Sequence, residues 1–434
     1  MAGRLILCAL LAGSILASEN LYAQGPPAEN YPSFAENPAY YYGGQGPAPN
    51  VPYYGPQGVI STGRVIDDEE LYQPSPLEAV MRRVLKGSWY RLEYMLWDLE
   101  DPGRTLLGSP LDLIADPSEE FAVNDPGTQT TIGVARVLTT DDISLQDVNG
   151  LRATIGVPLT IGTLEVRGFA MEQGGDMVNA PELPSVFFSG LFDQFFFPIF
   201  LSNFAATSTL TNGEVGSNVF LYDTAFDASF RSNVWGTEAM LIIDTGHFHD
   251  TGVRISPMVG GSYFRIQEQL TQVGVFTDVL NGGGDTLVSL IGSDTMNNIY
   301  GPTVGLRAEL AHKWFNIGVE PKITLGLDTL EARVNTERLR SAADPRVTTT
   351  ESDTIFSPVG ELGLFARANI NDNLSFHFAY TWLWAFRITR PHENILYNDN
   401  GPLPTPPGIV VDKELSDFIA NGWSVGGEFR FGRK

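Results

Sequence analysis

The sequence predicts an all-β protein: an antiparallel transmembrane β-barrel of about 12 strands, in a range of about 10–14, after a disordered N-terminal linker. Long segments alternate between apolar and polar residues with a period of two. Charged residues make up 18% of the chain, below the roughly 25% that is usual for soluble domains. The chain also begins with the features of an export signal.

The N-terminus is predicted to be a signal peptide over residues 1–24. Arg4 supplies a positive charge, and an uncharged apolar run of about 13 residues follows it. That run is too short to span a bilayer, which takes about 20 residues. Because Cys8 is the only cysteine of the chain, cleavage would leave a mature protein with none.

Three segments are predicted after the signal peptide. Residues 25–65 are rich in Pro, Tyr and Gly and have no apolar periodicity, so they are expected to be a disordered linker. Residues 66–87 contain a short amphipathic helical lead-in, and residues 88–434 form the barrel.

The net charge and the absence of common catalytic motifs argue against several classes of function. The chain has 27 Lys and Arg against 51 Asp and Glu, a net charge of −24, which argues against a nucleic-acid partner. The sequence contains no G-x-S-x-G, H-E-x-x-H or Walker-type motif. We therefore expect no catalytic residues, no cofactor and no metal site.

The alternating segments are long, about 10–17 residues, whereas soluble strands average about five or six. In residues 313–328 one face is apolar and the other is polar or small, as in a barrel with a lipid-facing exterior. The predicted strands are 88–98, 129–137, 149–158, 161–172, 228–244, 251–267, 268–277, 297–312, 313–328, 355–370, 373–388 and 420–431.

Short and long connections separate these strands, which is typical of outer-membrane barrels. Residues 158–160 and 371–372 are predicted tight turns, and 99–128, 173–227 and 389–419 are long loops that are acidic or rich in proline. The phenylalanine-rich segment 184–204 is expected to fold inward and plug the barrel or cap its mouth or, alternatively, to insert at the outer-leaflet boundary.

The inward faces of these strands carry nearly balanced charges, seven basic and six acidic, so ion pairs are expected to cross a narrow lumen. The acidic excess of the chain is then expected in surface loops. The predicted lumen-facing charges are Arg91, Glu93, Arg152, Glu165, Arg167, Arg307, Glu309, Glu320, Lys322, Glu361, Arg367, Glu428 and Arg430.

The last predicted strand closes the barrel and carries the aromatic residues Trp423, Phe429 and Phe431. A final strand with an aromatic residue near its end is similar to the signal read by the barrel-assembly machinery, although three residues follow Phe431. This machinery during biogenesis and outer-membrane lipid are therefore the expected partners, and the sequence does not indicate an oligomeric state.

Three stretches resemble the planctomycete-type outer-membrane β-barrel protein family. Residues 89–97 (WYRLEYMLW) resemble the family's first strand, 298–306 (NIYGPTVGL) with Trp314 and Gly326 resemble its central hairpin, and 422–431 resemble its last strand. The likeness extends over about residues 88–431. It implies a barrel in the bacterial cell outer membrane, and this family without assigned activity contributes no catalytic residues.

The sequence thus predicts an outer-membrane barrel, not an enzyme, with a structural or passive narrow-channel (porin-like) role and acidic surface loops. One alternative is a secreted soluble β-sandwich that binds saccharide or protein, because a sandwich produces the same alternation. Another is a barrel hydrolase, for which His377 with the nearby Ser375 is the only candidate pair.

Overall fold

The computed structural model describes residues 87–431 except 113, 125–130, 181–185, 193–194, 246–251, 278–284, 402–404 and 406. The predicted signal peptide, linker and helical lead-in lie outside the described residues, apart from Gly87. In the described part of the chain, no helix is long and apolar enough to cross a membrane.

The described residues form 21 β-strands. They are β1 (Trp89–Leu99), β2 (Phe121–Asn124), β3 (Thr131–Val137), β4 (Val148–Leu159), β5 (Gly162–Met171), β6 (Gly174–Asn179), β7 (Val186–Phe192), β8 (Phe195–Thr211), β9 (Glu214–Tyr222), β10 (Ala225–Ile243), β11 (Gly252–Thr277), β12 (Thr286–Ala311), β13 (Phe315–Thr324), β14 (Leu327–Glu337), β15 (Val347–Phe356), β16 (Val359–Asn369), β17 (Leu374–Ile388), β18 (Ile395–Leu396), β19 (Asn398–Asp399), β20 (Val410–Val411) and β21 (Ser416–Arg430).

Ten of these strands close into a ring in which all neighbours are antiparallel. The order is β1-β4-β5-β10-β11-β12-β13-β16-β17-β21, and β21 pairs with β1 again from Trp89↔Arg430 to Leu99↔Ala420. The predicted antiparallel β-barrel is confirmed, and the ring of ten described strands lies within the predicted range.

Two segments account for the difference between twelve predicted strands and ten ring strands. Thr131–Val137 pairs with β2 and β8 in a separate six-stranded sheet, because a period of two indicates a strand but not the sheet it joins. The segments 251–267 and 268–277 are one strand, β11, whose inward side continues unbroken through Ile266 and Glu268.

On the edge opposite β11, β12 pairs with two strands in turn. Its C-terminal half pairs with β13, and its N-terminal half pairs with β14, which continues the direction of β13 after Leu325 and Gly326. β14 in turn pairs with β15. The β14–β15 hairpin therefore extends the wall beyond the ring, on the side of the long connections.

The two ends of the ring differ. At one end the connections are short: residues 160–161 join β4 to β5, and residues 370–373 join β16 to β17. At the other end the connections are long and contain β2, β3, β7, β8 and β9, as well as β18 to β20. The backbone of the phenylalanine-rich segment forms the β7–β8 hairpin, and its predicted capping role stays a prediction because the side chains of 181–202 are outside the described residues.

The exterior of the ring is apolar. Exposed side chains such as Leu92, Ile317 and Phe376 alternate with buried neighbours along their strands. Tyr300, 46% exposed, lies where the outward residues of β12 change from apolar to polar, as expected for an aromatic residue at a membrane interface.

Candidate functional site inside the barrel

The interior of the ring has two layers. Near the short turns most inward side chains are charged, apart from an apolar cluster of Met240, Ile242 and Met258, and toward the long connections most are apolar. On β1, for example, the inward residues change from Arg91 and Glu93 to Met95 and Trp97, because alternate residues of a strand point inward.

Glu93 is the centre of one group of charges. The Arg91 Nε lies 3.1 Å from Glu93 Oε2, and the Ser424 Oγ donates to Glu93 Oε1 over 2.9 Å. The His377 Nδ1 is 3.1 Å from the same Oε1, and the Arg152 Nη1 is 4.0 Å from it. The Glu93 side chain is completely buried, so these contacts replace the water that a carboxylate would otherwise bind.

Glu428 extends this group toward the short turns. Its Oε2 is 3.4 Å from Arg91 Nη1, and its Oε1 is 3.4 Å from Arg367 Nη1 and 2.8 Å from Arg430 Nη2. Five strands of the ring are connected through Glu93 and Glu428 together: β1, β4, β16, β17 and β21.

A second group surrounds Arg167. Its guanidinium is 3.1 Å from Glu238, 3.4 Å from Glu320 and 3.3 Å from Glu361. The Lys322 Nζ is 2.8 Å from Glu238 Oε2 and 2.7 Å from Glu361 Oε1. β5, β10, β13 and β16 are thus connected across the interior.

Arg307 continues the second group toward the short turns. Its Nη1 and Nη2 donate to the two oxygens of Glu165 over 2.7 and 2.8 Å, and its Nε donates to Glu320 over 2.6 Å. Arg254 and Glu309 form a separate pair 3.6 Å apart. All thirteen residues predicted to face the lumen lie in this charged layer.

Two members of the layer were missed by sequence reasoning, Glu238 and Arg254. Glu238 lies on β10, where Val234 and Met240 are also buried, so the same alternation identifies its inward position. With these two residues, the described charged layer contains eight basic side chains and seven carboxylates.

The part of the apolar layer next to the charged layer consists of aromatic side chains. The rings of Trp97 and Phe169 have centroids 5.8 Å apart, and those of Phe169 and Phe264 are 6.4 Å apart. Trp97 pairs in register with Gly422, where an added Cβ would lie 2.6 Å from the indole Cδ1, so glycine makes room for the ring. The cavity beside these aromatic rings has a volume of about 10 Å³, room for about one water molecule.

The described residues within 389–411 (389–401, 405 and 407–411) enter the mouth of the ring and complete the apolar layer; we call them the plug. Ile395, Tyr397, Ile409 and Val411 are buried in the same cluster as the strand residues. Within the described part of the plug, Ile395 and Leu396 pair with Val411 and Val410 in a small hairpin.

Arg390 attaches the plug to the wall. Its Nε donates to Glu268 Oε2 over 3.0 Å and its Nη2 to Glu268 Oε1 over 3.1 Å. The same Nη2 donates to the carbonyl of Glu100 over 2.9 Å, and the guanidinium lies over the Phe418 ring at 5.6 Å. The side chains of Arg390 and Glu268 are 3% and 0% exposed, so this is a buried ion pair.

Two asparagines fix the backbone of the plug. The Asn297 side chain on β12 accepts from the amide of Thr389 and donates to its carbonyl, both over 2.9 Å. Asn394 donates to the carbonyl of Arg390 over 2.6 Å and also contacts the Thr389 hydroxyl. The two Asn297 bonds thus give the backbone of Thr389 the donor and the acceptor that a neighbouring strand would otherwise supply.

One histidine of the plug has a strongly shifted pKa. Burial disfavours the imidazolium of His392 and Arg390 repels it, so its pKa is lowered to about 3. Its ring meets Phe230 edge to face with centroids 5.9 Å apart. The neutral ring is therefore the form that fits the plug.

The candidate pair of the hydrolase alternative is not joined by a hydrogen bond. His377 contacts Glu93, whereas the Ser375 Oγ donates to Asn369 Oδ1 over 3.0 Å. Within the described residues no group of three or more His, Cys, Asp or Glu side chains is arranged to hold a metal ion.

The outer surface at the closing strand carries Trp423 and Phe429 of β21 and Phe431 just after it, whereas Phe418 of β21 is buried inside. Trp423 is 51% and Phe431 is 37% exposed, and Phe429 contacts Phe431 with ring centroids 5.1 Å apart. The amide of Phe431 donates to the carbonyl of Ser88 over 2.8 Å, which extends the contact between the ends of the barrel.

A closed antiparallel ring with an apolar exterior and a charged interior defines a transmembrane β-barrel protein. The chain belongs to the beta barrel porin-7 (BBP7) family, whose model matches residues 89–431. The protein is therefore an outer-membrane β-barrel protein of bacteria, from a family without assigned activity, and the soluble β-sandwich alternative is excluded.

Comparison with solved structures gives matches at low sequence identity and low TM-score. The outer membrane protease OmpT from Escherichia coli has 11% identity and a TM-score of 0.36, over 80% of this chain and 97% of that one. The toluene transporter TodX of P. putida has 10% identity and a TM-score of 0.25, over 80% and 91%. A FadL homologue of Pseudomonas aeruginosa has 8% identity and a TM-score of 0.22, over 79% and 90%. A comparison with curated proteins gives no match.

Proposed function

We propose that this protein is a closed outer-membrane barrel with a structural role: it holds a folded, acidic mouth at the cell surface, without catalysis and without an open pore. The observation that carries the proposal is the filled interior, in which the charged layer and the plug lie in series between the two ends of the ring. Wide aqueous channels are typical of barrels of about 16 strands or more, and this ring has ten.

The charged layer supports a structural role because its members are paired with one another. Lys322 is 2% exposed and has two carboxylate partners, Glu238 and Glu361. A conducting lumen needs water along its charged groups, whereas these groups bind each other from opposite strands and brace the wall.

The distribution of charge supports an acidic surface. The charged layer is nearly balanced, and the chain has a net charge of −24, so the acidic excess lies elsewhere. Exposed carboxylates of the described loop between β1 and β4 include Asp101, Glu119, Glu120, Asp141 and Asp142. By the usual orientation of outer-membrane barrels, the end with long connections faces the outside of the cell.

The proposed partners are outer-membrane lipid along the apolar exterior and the barrel-assembly machinery during biogenesis. The exposed Trp423 on β21 and Phe431 just after it support both, because they lie on the outer surface at the strand that closes the ring. The contacts of His377 and Ser375 with other residues support a role that is not enzymatic.

Planar-bilayer recording of the purified protein tests the proposal. We expect the wild-type protein to stay at the baseline current, and Arg390→Ala, which releases the plug, to show brief small openings still limited by the charged layer. The control is Lys413→Ala, whose partner Asp353 is half exposed, and which we expect to stay closed. A large, persistently open wild-type conductance would show that the interior is not filled as described, and hydrolytic activity lost in His377→Ala would establish the enzyme alternative.

A further inference from the structure

The β14–β15 hairpin rises above the lipid-facing band. Leu327 pairs with Phe356, and both are exposed apolar residues at the upper limit of that band. Beyond them β14 carries the outward residues Thr329, Glu331 and Arg333. The rest of the hairpin is therefore expected to lie in water.

β15 is the edge of this extension. It pairs with β14 from Leu327↔Phe356 to Thr336↔Val347, and no other described strand pairs with it. β16, which follows it along the chain, pairs instead with β13 and β17, and its first residue Val359 pairs with Ala385. Beyond that pair, toward the long connections, no described strand lies on the other side of β15.

Two hydrogen bonds show which backbone groups point to the open side. The amide of Thr354 donates to the carboxylate of Asp353 over 2.8 Å, whereas the amide of Ser357, three residues later, donates across to the carbonyl of Gly326 over 2.9 Å. Because alternate residues of an antiparallel strand point their N–H and C=O to the same side, Thr348, Thr350 and Ser352 also direct theirs away from β14. An edge with these free donors and acceptors is a template for another strand.

The side chains on the two faces of this edge differ. The outward side carries a row of exposed hydroxyls at Thr348, Thr350, Ser352 and Thr354, and the side toward the mouth carries the exposed Glu351 and Asp353. Next to this second face is the segment that contains Asp412, Lys413 and Glu414. Lys413 is flanked in sequence by Asp412 and Glu414 and is already paired with Asp353 at 2.7 Å, so the charges here are mostly acidic.

We propose that the outer edge of β15 is a strand-addition site for an extended polypeptide segment that carries lysine or arginine at alternate positions. Main-chain hydrogen bonds to Thr348, Thr350 and Ser352 provide the pairing. Basic side chains on the mouth face meet Glu351 and its acidic neighbours, and small polar side chains on the other face meet the hydroxyl row. The occupant is thus a basic segment of another protein.

A second copy of this chain is a poorer occupant for a physical reason. Two barrels in one membrane are related by rotation about the membrane normal, so their β15 strands would run parallel. The β15 strand of a second copy carries Glu351 and Asp353 and neither lysine nor arginine, so it provides no basic side chain for the acidic face.

The test uses the mature protein in detergent micelles and a fluorescein-labelled nine-residue peptide of alternating Lys and Thr. We expect binding by fluorescence anisotropy, and at least tenfold weaker binding of the same peptide with alternate backbone amides methylated. Equal binding of both peptides would indicate adhesion by charge alone and would overturn the proposal, as would no binding of the unmodified peptide.

Variants of the edge sharpen the test. Ser352→Pro removes an N–H from the open side, which an edge strand tolerates, so we expect a folded barrel with at least tenfold weaker peptide binding. The matched control Ser352→Ala keeps the N–H and should bind like the wild type. Glu351→Gln should weaken binding several-fold and reduce its dependence on salt.

Two outcomes would assign the edge differently. Wild-type binding by Ser352→Pro, in a preparation that keeps the heat-modifiable folded form, would place the peptide away from β15. A wild-type dimer in light scattering that becomes monomeric in Ser352→Pro would show that the edge pairs with a second copy.

Discussion

Arg390 and Glu268 lie 122 positions apart in the chain and form a buried ion pair inside the barrel, with the Nε 3.0 Å from the carboxylate. Arg390 belongs to the plug and Glu268 to the wall strand β11. The contact between loop and barrel therefore depends on two charges that are costly to separate.

Loss of one partner should loosen the plug. Arg390→Met leaves Glu268 as a buried charge without its partner, a change that typically costs about 3–5 kcal/mol. We expect chymotrypsin to cut at Tyr397 in this variant and not in the wild type. Adding Glu268→Met should restore much of the protection, and Lys413→Met, at a partly exposed pair, should leave it unchanged; cleavage of the double variant as fast as Arg390→Met would argue against the ion pair.

Removal of one partner from an ion pair in the charged layer should also destabilise the protein. Lys322→Met leaves Glu238 and Glu361 short of one cation in the interior, and we expect a loss of about 3–5 kcal/mol in the free energy of unfolding. The control is Arg333→Met, whose pair with Glu331 is exposed and worth at most about 1 kcal/mol. Urea titration of the heat-modifiable form measures both, and equal effects would contradict the buried network.

The lipid-facing band predicts a dependence on depth. Val319 is an outward residue near the middle of the apolar face of β13, so Val319→Arg should cost about 2–4 kcal/mol and impair insertion into vesicles. Thr329→Arg faces outward above the band and should cost at most about 1 kcal/mol. Impaired insertion of both variants to the same extent would show that the band ends higher than Leu327.

Acidification should release the plug through His392. Its folded pKa is about 3 and its unfolded pKa is about 6.5, so the unfolded segment binds the proton more readily. The stabilisation is complete above about pH 6.5 and is lost as the pH falls, by about 2 kcal/mol at pH 5. Hydrogen exchange of residues 389–401 should therefore be faster at pH 5 than at pH 7.5, after correction for the intrinsic rates.

A variant separates the effect of this histidine from that of the other charged groups near the plug, which include Arg390, Glu393 and Glu100. His392→Gln cannot take up a proton, so its protection should change much less between the two pH values. The same acid response in His392→Gln and in the wild type would assign the effect to a carboxylate.

Much of the barrel could be predicted from sequence because pleating is strictly local. The side of the strand on which Arg91, Glu320 or Lys322 lies follows from counting in twos, and the buried positions of these residues agree with that count. The apolar exterior follows from the same count, since lipid replaces water on one face only.

Long-range pairing could not be predicted in this way. Nothing local to Arg390 indicates Glu268 as its partner, and the alternation of Thr131–Val137 does not reveal that it lies outside the ring. The free edge of β15 could not be predicted from the sequence either, because it depends on where β16 begins to pair with β17. These features depend on which distant segments meet, and a single sequence records that only weakly.

The seam between β1 and β21 makes the barrel sensitive to the completeness of its polypeptide. The first and last strands of the ring are neighbours over Trp89–Leu99, so a chain that stops before Ser416 leaves the edges of β1 and β17 open. Unpaired backbone groups cost several kcal/mol each in hydrocarbon, and such a fragment has no stable place in the bilayer. Membrane insertion therefore discriminates against truncated chains, because only a chain that includes β21 can close the ring.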